Sequence, residues 1–370
     1  MLVPQPKYFR NLDGLRFLCF LSVFSYHTLH TSHPDIVSNV FYKIIVDGIL
    51  VNGYLGVNFF FVLSGFLITY LLIIEKQETG KIHIINFWMK RVFRIWPLYF
   101  ICIIYGFILY PYLKGLLGEE TTTLPNASLY LLFLANFDII RNGLPDSTQL
   151  GVLWSISVEE QFYLVWPLIL YRLPIKRYWI VFTVIIICSL IFRAIYDYNL
   201  SHYFHTLSCM SDLAIGGLGA WMMQQDKFKK VIRDLDLKYI ILVYISFAVC
   251  YIFKKEILVE VYIIRIFERL IIATLIVLII LEQNYSVNSF YKMGNFKKIS
   301  SLGLITYGMY MLHVIFFVIL VKASKVLKLD DSYIIVLWIP ILSLILTVVF
   351  SKISYNVLEK PILRLRRYLK

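Results

Sequence analysis

Long apolar runs alternate with short polar stretches from residue 12 to the end of the chain. Eleven such segments begin near residues 12, 54, 92, 126, 151, 177, 203, 237, 262, 303 and 333. Most hold about 20 residues, the length an α-helix needs to cross the hydrocarbon core of a bilayer. The pattern predicts an all-α, polytopic integral membrane bundle. The fourth segment, Asn126 to Ile140, is short and contains Asn136 and Asp138. It is either a span or a partly inserted piece.

Lysine and arginine positions separate those two cases, because cytoplasmic loops carry the excess of positive charge. If the fourth segment does not cross, ten helices span and both termini are cytoplasmic. Then 24 cationic residues lie inside, 8 outside, and four (Arg16, Arg193, Arg265, Arg269) within spans. If it crosses, every later loop changes side and the balance becomes 13 inside and 19 outside. Ten spans is the expectation. The N-terminus is not read as a cleaved signal peptide, because it lacks a small-residue cleavage site and its first span carries Arg16 and His27. No linker or repeat divides the chain. Residues 1–370 are expected to form one membrane-embedded domain with no fused extracytoplasmic domain.

Composition excludes other classes. The chain of 370 residues is 59% hydrophobic and 16% charged. Soluble domains run at roughly 45–50% and 25%. Mean hydropathy is +0.74. A soluble enzyme, a disordered protein and a disulfide-stapled module are ruled out. The net charge of +13 sits mostly in loops on one side, so it reads as membrane orientation and not as a nucleic-acid surface. Cys19, Cys102, Cys188, Cys209 and Cys250 all lie in apolar runs without a CxxC pair, so neither a disulfide framework nor a zinc site is expected.

Charges inside a membrane are costly and mark candidate sites. Arg16 and His27 are eleven residues apart in the first span. At 100° per residue they share a face, roughly 16 Å apart along the axis. The plain alternative is a snorkelling arginine and a packing histidine. Trp154-Ser155-Ile156-Ser157-Val158-Glu159-Glu160-Gln161-Phe162-Tyr163 opens the fifth segment. Its carboxylates are expected at the depth of His27, where one could orient a histidine; capping of the helix start is the alternative. Arg91 and Arg94 are helix neighbours at i, i+3, suited to phosphate or to simple anchoring. Thr306, Tyr310 and His313 share a face of the tenth segment, and Asp212 precedes Gly216-Gly217 and Gly219, which permit close helix packing. Arg265, Glu268 and Arg269 are expected to pair with one another through i+3 and i+4. His202 and His205 lack a third metal ligand, so no metal is expected. The tail Glu359-Lys360-Pro361-Ile362-Leu363-Arg364-Leu365-Arg366-Arg367 reads as an amphipathic cytoplasmic anchor.

In this order the pieces resemble the acyltransferase-3 family of integral membrane acyltransferases. The match runs through Asn11-Leu12-Asp13-Gly14-Leu15-Arg16 and His27, Phe59-Phe60-Phe61-Val62-Leu63-Ser64-Gly65-Phe66-Leu67, and Arg91-x-x-Arg94-Ile95-Trp96-Pro97-Leu98-Tyr99. It continues through Trp154 to Tyr163, Tyr307-Gly308-Met309-Tyr310-Met311-Leu312-His313 and Glu359-Lys360-Pro361. The resemblance implies a cytoplasmic (inner) membrane enzyme with no permanently bound cofactor. It implies transfer of an acyl group, usually acetyl, from cytoplasmic acyl-CoA to a hydroxyl of a cell-envelope glycan, peptidoglycan or a small metabolite. The family's essential pair carries over to Arg16 and His27, and its donor-binding arginines to Arg91 and Arg94. On that reading Arg16, Arg91 and Arg94 meet the donor's phosphates. His27 is the general base, Glu159 or Glu160 orients it, and Ser157, Tyr163 or Tyr310 stabilises the oxyanion. His313 and Asp212 are further pocket candidates. One departure is local: relatives often carry an arginine shortly before the aspartate, where this chain has Met210 and Ser211. The alternative function is a transporter or flippase, although no inverted repeat supports it.

Overall fold

The computed structural model describes residues 8–31, 34–120, 122, 124–197, 199–329, 331 and 334–368. Lys7 and Lys370, counted above as cytoplasmic charges, lie outside them. Ten helices of sixteen or more residues build the described bundle: α1 (Arg10–Thr28), α2 (Leu55–Thr79), α3 (Ile84–Ile104), α4 (Thr148–Arg172), α5 (Tyr178–Ile195), α6 (Thr206–Met222), α7 (Leu237–Ile252), α8 (Tyr262–Tyr285), α9 (Thr306–Val326) and α10 (Ile339–Ser354). The fold is an all-α membrane bundle.

Five stretches are long and apolar enough to cross a bilayer by themselves: Val40–Thr79, Ile84–Leu116, Ile175–Ile195, Thr306–Val326 and Ile334–Arg364. A sixth is counted if Asp226–Arg233 and Leu237–Ile252, bent by 86°, form one span. The other four long helices, α1, α4, α6 and α8, include buried charged residues such as Asp13, Asp212, Arg265, Glu268 and Arg269. Hydropathy understates such helices, because their polar side chains face protein and not lipid. The fourth apolar segment folds as two short helices, Ala127–Leu131 and Ala135–Asn142. The longer has eight residues, about 12 Å at 1.5 Å per residue, far short of a 30 Å core.

Close packing of α2 on α6 sets the centre of the bundle. A Cβ on Gly65 would sit 1.9 Å from the Leu213 carbonyl oxygen, and one on Gly216 would sit 2.0 Å from that of Val62. Only glycine allows backbones this near, as in other small-residue membrane interfaces. Helix α4 is tied at two points. Pro167 has no N–H and leaves the Tyr163 carbonyl without its helical partner; the Trp88 indole donates to it (3.1 Å), which docks α3 on α4. Lys76 donates to the carbonyls of Leu170, Tyr171 and Leu173 (2.9, 2.9 and 2.7 Å) and caps the open end of α4.

Candidate functional site: two chambers joined at Tyr310

Two cavities lie along α1. The smaller, about 130 Å³, is lined by Arg16, Arg91, Arg94, Ser64, Glu159 and Tyr163. The larger, about 620 Å³, is lined by His27, Tyr54, Asn58, His202, Glu268 and Arg269, among others. We call them the arginine and histidine chambers. Val57 and Tyr310 line both. The Tyr310 hydroxyl is 2.7 Å from the Ser155 hydroxyl, so this pair stands between them.

The arginine chamber follows from short motifs. Arg16 donates to Asp13 (2.6 Å), one turn earlier on α1, and Asp13 also accepts from the Tyr8 hydroxyl. Arg91 lies 5.5 Å and 5.7 Å from the ring centres of Phe87 and Tyr163, and its Nε has no partner. A third link is not local: Ser64 of α2 donates to Glu159 of α4 (2.6 Å) and accepts from the Tyr163 hydroxyl (3.2 Å).

The histidine chamber follows from long-range pairs. His313 Nδ1 is 2.7 Å from the Tyr310 carbonyl, and His313 Nε2 is 2.9 Å from His27 Nδ1. A carbonyl only accepts, so in neutral His313 the proton is on Nδ1 and Nε2 is bare. His27 Nδ1 must therefore donate, which leaves His27 Nε2 with its lone pair. Behind the chamber wall, Arg269 binds Asp212 (2.6 Å), and Asn58 donates to the same carboxylate (3.0 Å). The cation for Asp212, absent from its own sequence neighbourhood, comes from α8.

Several expectations are corrected by this geometry. Glu159 and Glu160 do not open their helix: α4 begins at Thr148, so Glu159 lies eleven residues inside it, about 16 Å from its start. Neither caps the helix, and neither orients His27. Glu159 faces the arginines, while Glu160 accepts from the Trp96 indole (3.0 Å) and lines neither chamber. Ser157 also lines neither; its hydroxyl is bonded back to the Leu153 carbonyl (3.1 Å). Arg265, Glu268 and Arg269 do not pair with one another. Arg265 binds Asp197 (2.5 Å), Glu268 binds Lys254 (2.6 Å) and Arg269 binds Asp212, because their side chains meet different neighbouring helices and loops. His205 caps α6 by accepting from the Leu207 amide (3.1 Å), and His202 is buried. The tail is no simple anchor. Glu359 is buried within hydrogen-bonding distance of Ser354 (3.4 Å), and Arg366 donates to the Lys90 carbonyl (2.8 Å).

Arg16, Arg91, Arg94 and Tyr163 are thus brought together; His27 and His313 are brought together at the other end; Tyr310 lies between. Sequence reasoning missed the roles of Ser64, Ser155 and Asn58. The first two lie in quoted motifs, but their partners sit on other helices.

Comparison with known proteins gives the family. A model described as an acyltransferase domain matches residues 9–355. The chain is 27% identical over 390 residues to the O-acetyltransferase OatA of Staphylococcus aureus, covering 97% of this chain and 58% of that protein. It is 26% identical over 373 residues to the peptidoglycan O-acetyltransferase OatA of Listeria monocytogenes, covering 96% of this chain and 56% of that one. The chain thus spans somewhat more than half the length of these curated relatives. No solved structure matches it. With the family model covering nearly the whole chain, this protein belongs to the acyltransferase-3 family.

Proposed function

We propose that the protein transfers an acyl group, acetyl by analogy with the relatives, from a cytoplasmic acyl-CoA to a hydroxyl of a cell-envelope glycan. The observation that carries this reading is the hydrogen-bonded line from the Tyr310 carbonyl through His313 to His27, which leaves a lone pair on a residue lining the larger chamber. The charge balance of the loops supports placing the arginine end in the cytoplasm of an inner membrane. There Arg16, Arg91 and Arg94 hold the phosphates of the donor, and Glu159 with Ser64 fixes the wall beside them. The acyl-bearing arm reaches past Tyr310 towards His27.

In the chemical step, His27 Nε2 takes the proton of the acceptor hydroxyl as its oxygen attacks the thioester carbonyl. His313 accepts the Nδ1 proton's hydrogen bond and stabilises the imidazolium, the part a carboxylate plays in other triads. The Tyr310 hydroxyl, which meets the Ser155 hydroxyl and donates to the Val152 carbonyl in the structure, turns its proton from that carbonyl to the oxyanion. The intermediate expels coenzyme A as its thiolate, which recovers the proton from His27. The products are an acyl ester and free coenzyme A.

Release of coenzyme A by the purified full chain in nanodiscs tests the reading. General base catalysis contributes about 10²- to 10⁴-fold, so His27→Ala should lose at least two orders of magnitude with unchanged thermal stability. Turnover retained in that variant overturns the role. Binding of donor and glycan without any thioester cleavage would favour a transporter.

A further inference from the structure

The chain after α10 folds back along α3. Three short helical pieces, Tyr355–Glu359, Lys360–Arg364 and Leu365–Tyr368, each pack against that helix. The stretch runs opposite to α3. Glu359 lies within electrostatic reach of Arg94. Arg366 donates through Nη2 to the carbonyl of Lys90 (2.8 Å), one turn nearer the start of α3. The family model's match ends at residue 355, so Arg366 lies beyond it.

Arg366 adds a cation beside the arginine chamber. Burial first, and then the charges of Arg91 and Arg94, lower its guanidinium to about 10. Among the described residues, none of these three arginines forms an ion pair with a carboxylate. The nearby Glu159 and Glu359 lie within hydrogen-bonding distance of Ser64 and Ser354 instead. Arg91 and Arg94 have no hydrogen-bond partner among the described residues, and Arg366 uses Nη2 alone. Only the Nε atoms of Arg91 and Arg366 are shut away; the other guanidinium nitrogens are accessible. Three neighbouring guanidinium groups with open N–H bonds repel one another, and an anion with several phosphates relieves that repulsion.

Their order matches the order of groups in coenzyme A. That molecule runs from its thiol through pantetheine and a diphosphate to a ribose phosphorylated on its 3′-oxygen. With the thioester at His27, the diphosphate meets Arg91 and Arg94. The next anionic group towards the start of α3 is the ribose phosphate. Lys90, which holds Arg366, is four residues before Arg94, about 6 Å along the axis. One ribose bridges such a step between its two phosphates.

We propose that Arg366 receives the ribose 3′-phosphate of the coenzyme A donor, so that the tail completes the donor site and selects 3′-phosphorylated nucleotides. The inference rests on the reading of the arginine chamber as the donor site and adds the residue that tells coenzyme A from its 3′-dephospho form. Anchored on a backbone carbonyl through Nη2, the planar guanidinium presents Nη1 in a set direction, as phosphate recognition requires.

Equilibrium binding tests it without any turnover. Coenzyme A and 3′-dephospho-coenzyme A are titrated by calorimetry into the full chain in nanodiscs with no acceptor present. The wild type should bind coenzyme A at least about tenfold more tightly, the scale of a hydrogen bond between charged groups. Arg366→Gln keeps a donor for the Lys90 carbonyl but removes the charge. It should reduce the preference to less than about threefold by weakening coenzyme A, with the dephospho form little changed. Arg366→Lys keeps the charge and should retain a preference above that of the glutamine variant. Equal binding of the two probes by the wild type, an undiminished preference in Arg366→Gln, or an equal loss for both probes in that variant overturns the proposal. Equal binding together with release of coenzyme A from acyl-CoA would sink this site and keep the transferase reading. An Arg366-dependent preference in a protein that never cleaves the thioester would do the reverse.

Discussion

The two chambers differ in where their polar groups come from. In the arginine chamber, the decisive contacts are mostly local. Arg16 meets Asp13 three residues away, and Arg91 and Arg94 are three apart on one helix. In the histidine chamber, His27 meets His313, 286 residues away, and Arg269 meets Asp212, 57 away. A donor with several phosphates can be met by a row of like charges on short motifs. On the proposed reading the base needs an orienting partner, and it comes from a separate helix packed against α1. The lesson is that the first chamber is a motif, and the second is a product of the fold.

The largest expected effect breaks the buried Arg269–Asp212 pair. Arg269→Leu leaves Asp212 buried without its cation, and loss of one partner from a buried pair costs about 3–5 kcal/mol. Thermal unfolding in detergent should show a large fall in Tm. Arg16→Leu should cost far less, because its partner Asp13 retains the Tyr8 hydrogen bond and Arg16 itself is part exposed. Equal losses in the two variants would erase the distinction between the chambers.

The next effect concerns orientation. His313→Asn removes the acceptor of the His27 Nδ1 proton without adding bulk. The kcat for coenzyme A release should fall about 10- to 100-fold, below the loss expected for removing the base itself. The KM for donor should not move. Glu159→Gln should do the opposite: its carboxylate faces the arginines and Ser64, so donor KM changes while kcat at saturation holds. A fall in kcat with Glu159→Gln as deep as that with His313→Asn would restore the glutamate as the orienting group.

How much of this was legible in the sequence follows the same division. The α-helical membrane bundle, the shared face of Arg16 and His27, and the Arg91–Arg94 pair could be read because each depends on spacing along one helix. The fourth segment's length leaves it open; the loop charges favour a non-spanning piece, and it folds as two short helices. The partner of His27 could not be read, because depth along separate helices does not report which of their side chains touch. Starting α4 at Thr148 instead of near residue 151 adds almost one turn before Glu159, so the carboxylates lie well inside the helix and not at its opening. Arg265, Glu268 and Arg269 have spacings that allow mutual pairing, yet each finds a partner outside α8. Nothing in a single helix reports what packs against it.

A smaller effect belongs to donor recognition. A hydrogen bond to a charged group contributes about 1.5–3 kcal/mol. Arg91→Ala should weaken acyl-CoA binding at least about tenfold by calorimetry, and added salt should shrink the difference. The same variant should bind glycan probes as the wild type does. Unchanged donor affinity would return Arg91 to membrane anchoring.

The smallest effect lies at the rim of the histidine chamber. Asp146 sits in the loop before α4, beside chamber-lining Leu144, Pro145 and Thr148. It accepts from Lys114 (2.7 Å) and from the Thr122 amide (3.2 Å). The Lys114 hydrogen bond, the largest cause, holds its carboxyl below the usual aspartate value against the opposing effect of burial. A carboxylate whose folded value is depressed contributes stability that is present above the unfolded value, about 3.9, and lost as pH falls through the folded one. The pair is part exposed, so screening keeps its contribution to about 0.2–1 kcal/mol. Asp146→Asn should therefore lower Tm slightly at pH 7, and wild type and variant should converge as pH falls below the ordinary aspartate range. A gap that persists at acid pH would show that the loop is held by packing and by the Tyr110 bond to the Asp146 carbonyl, and that no charge bridges this rim.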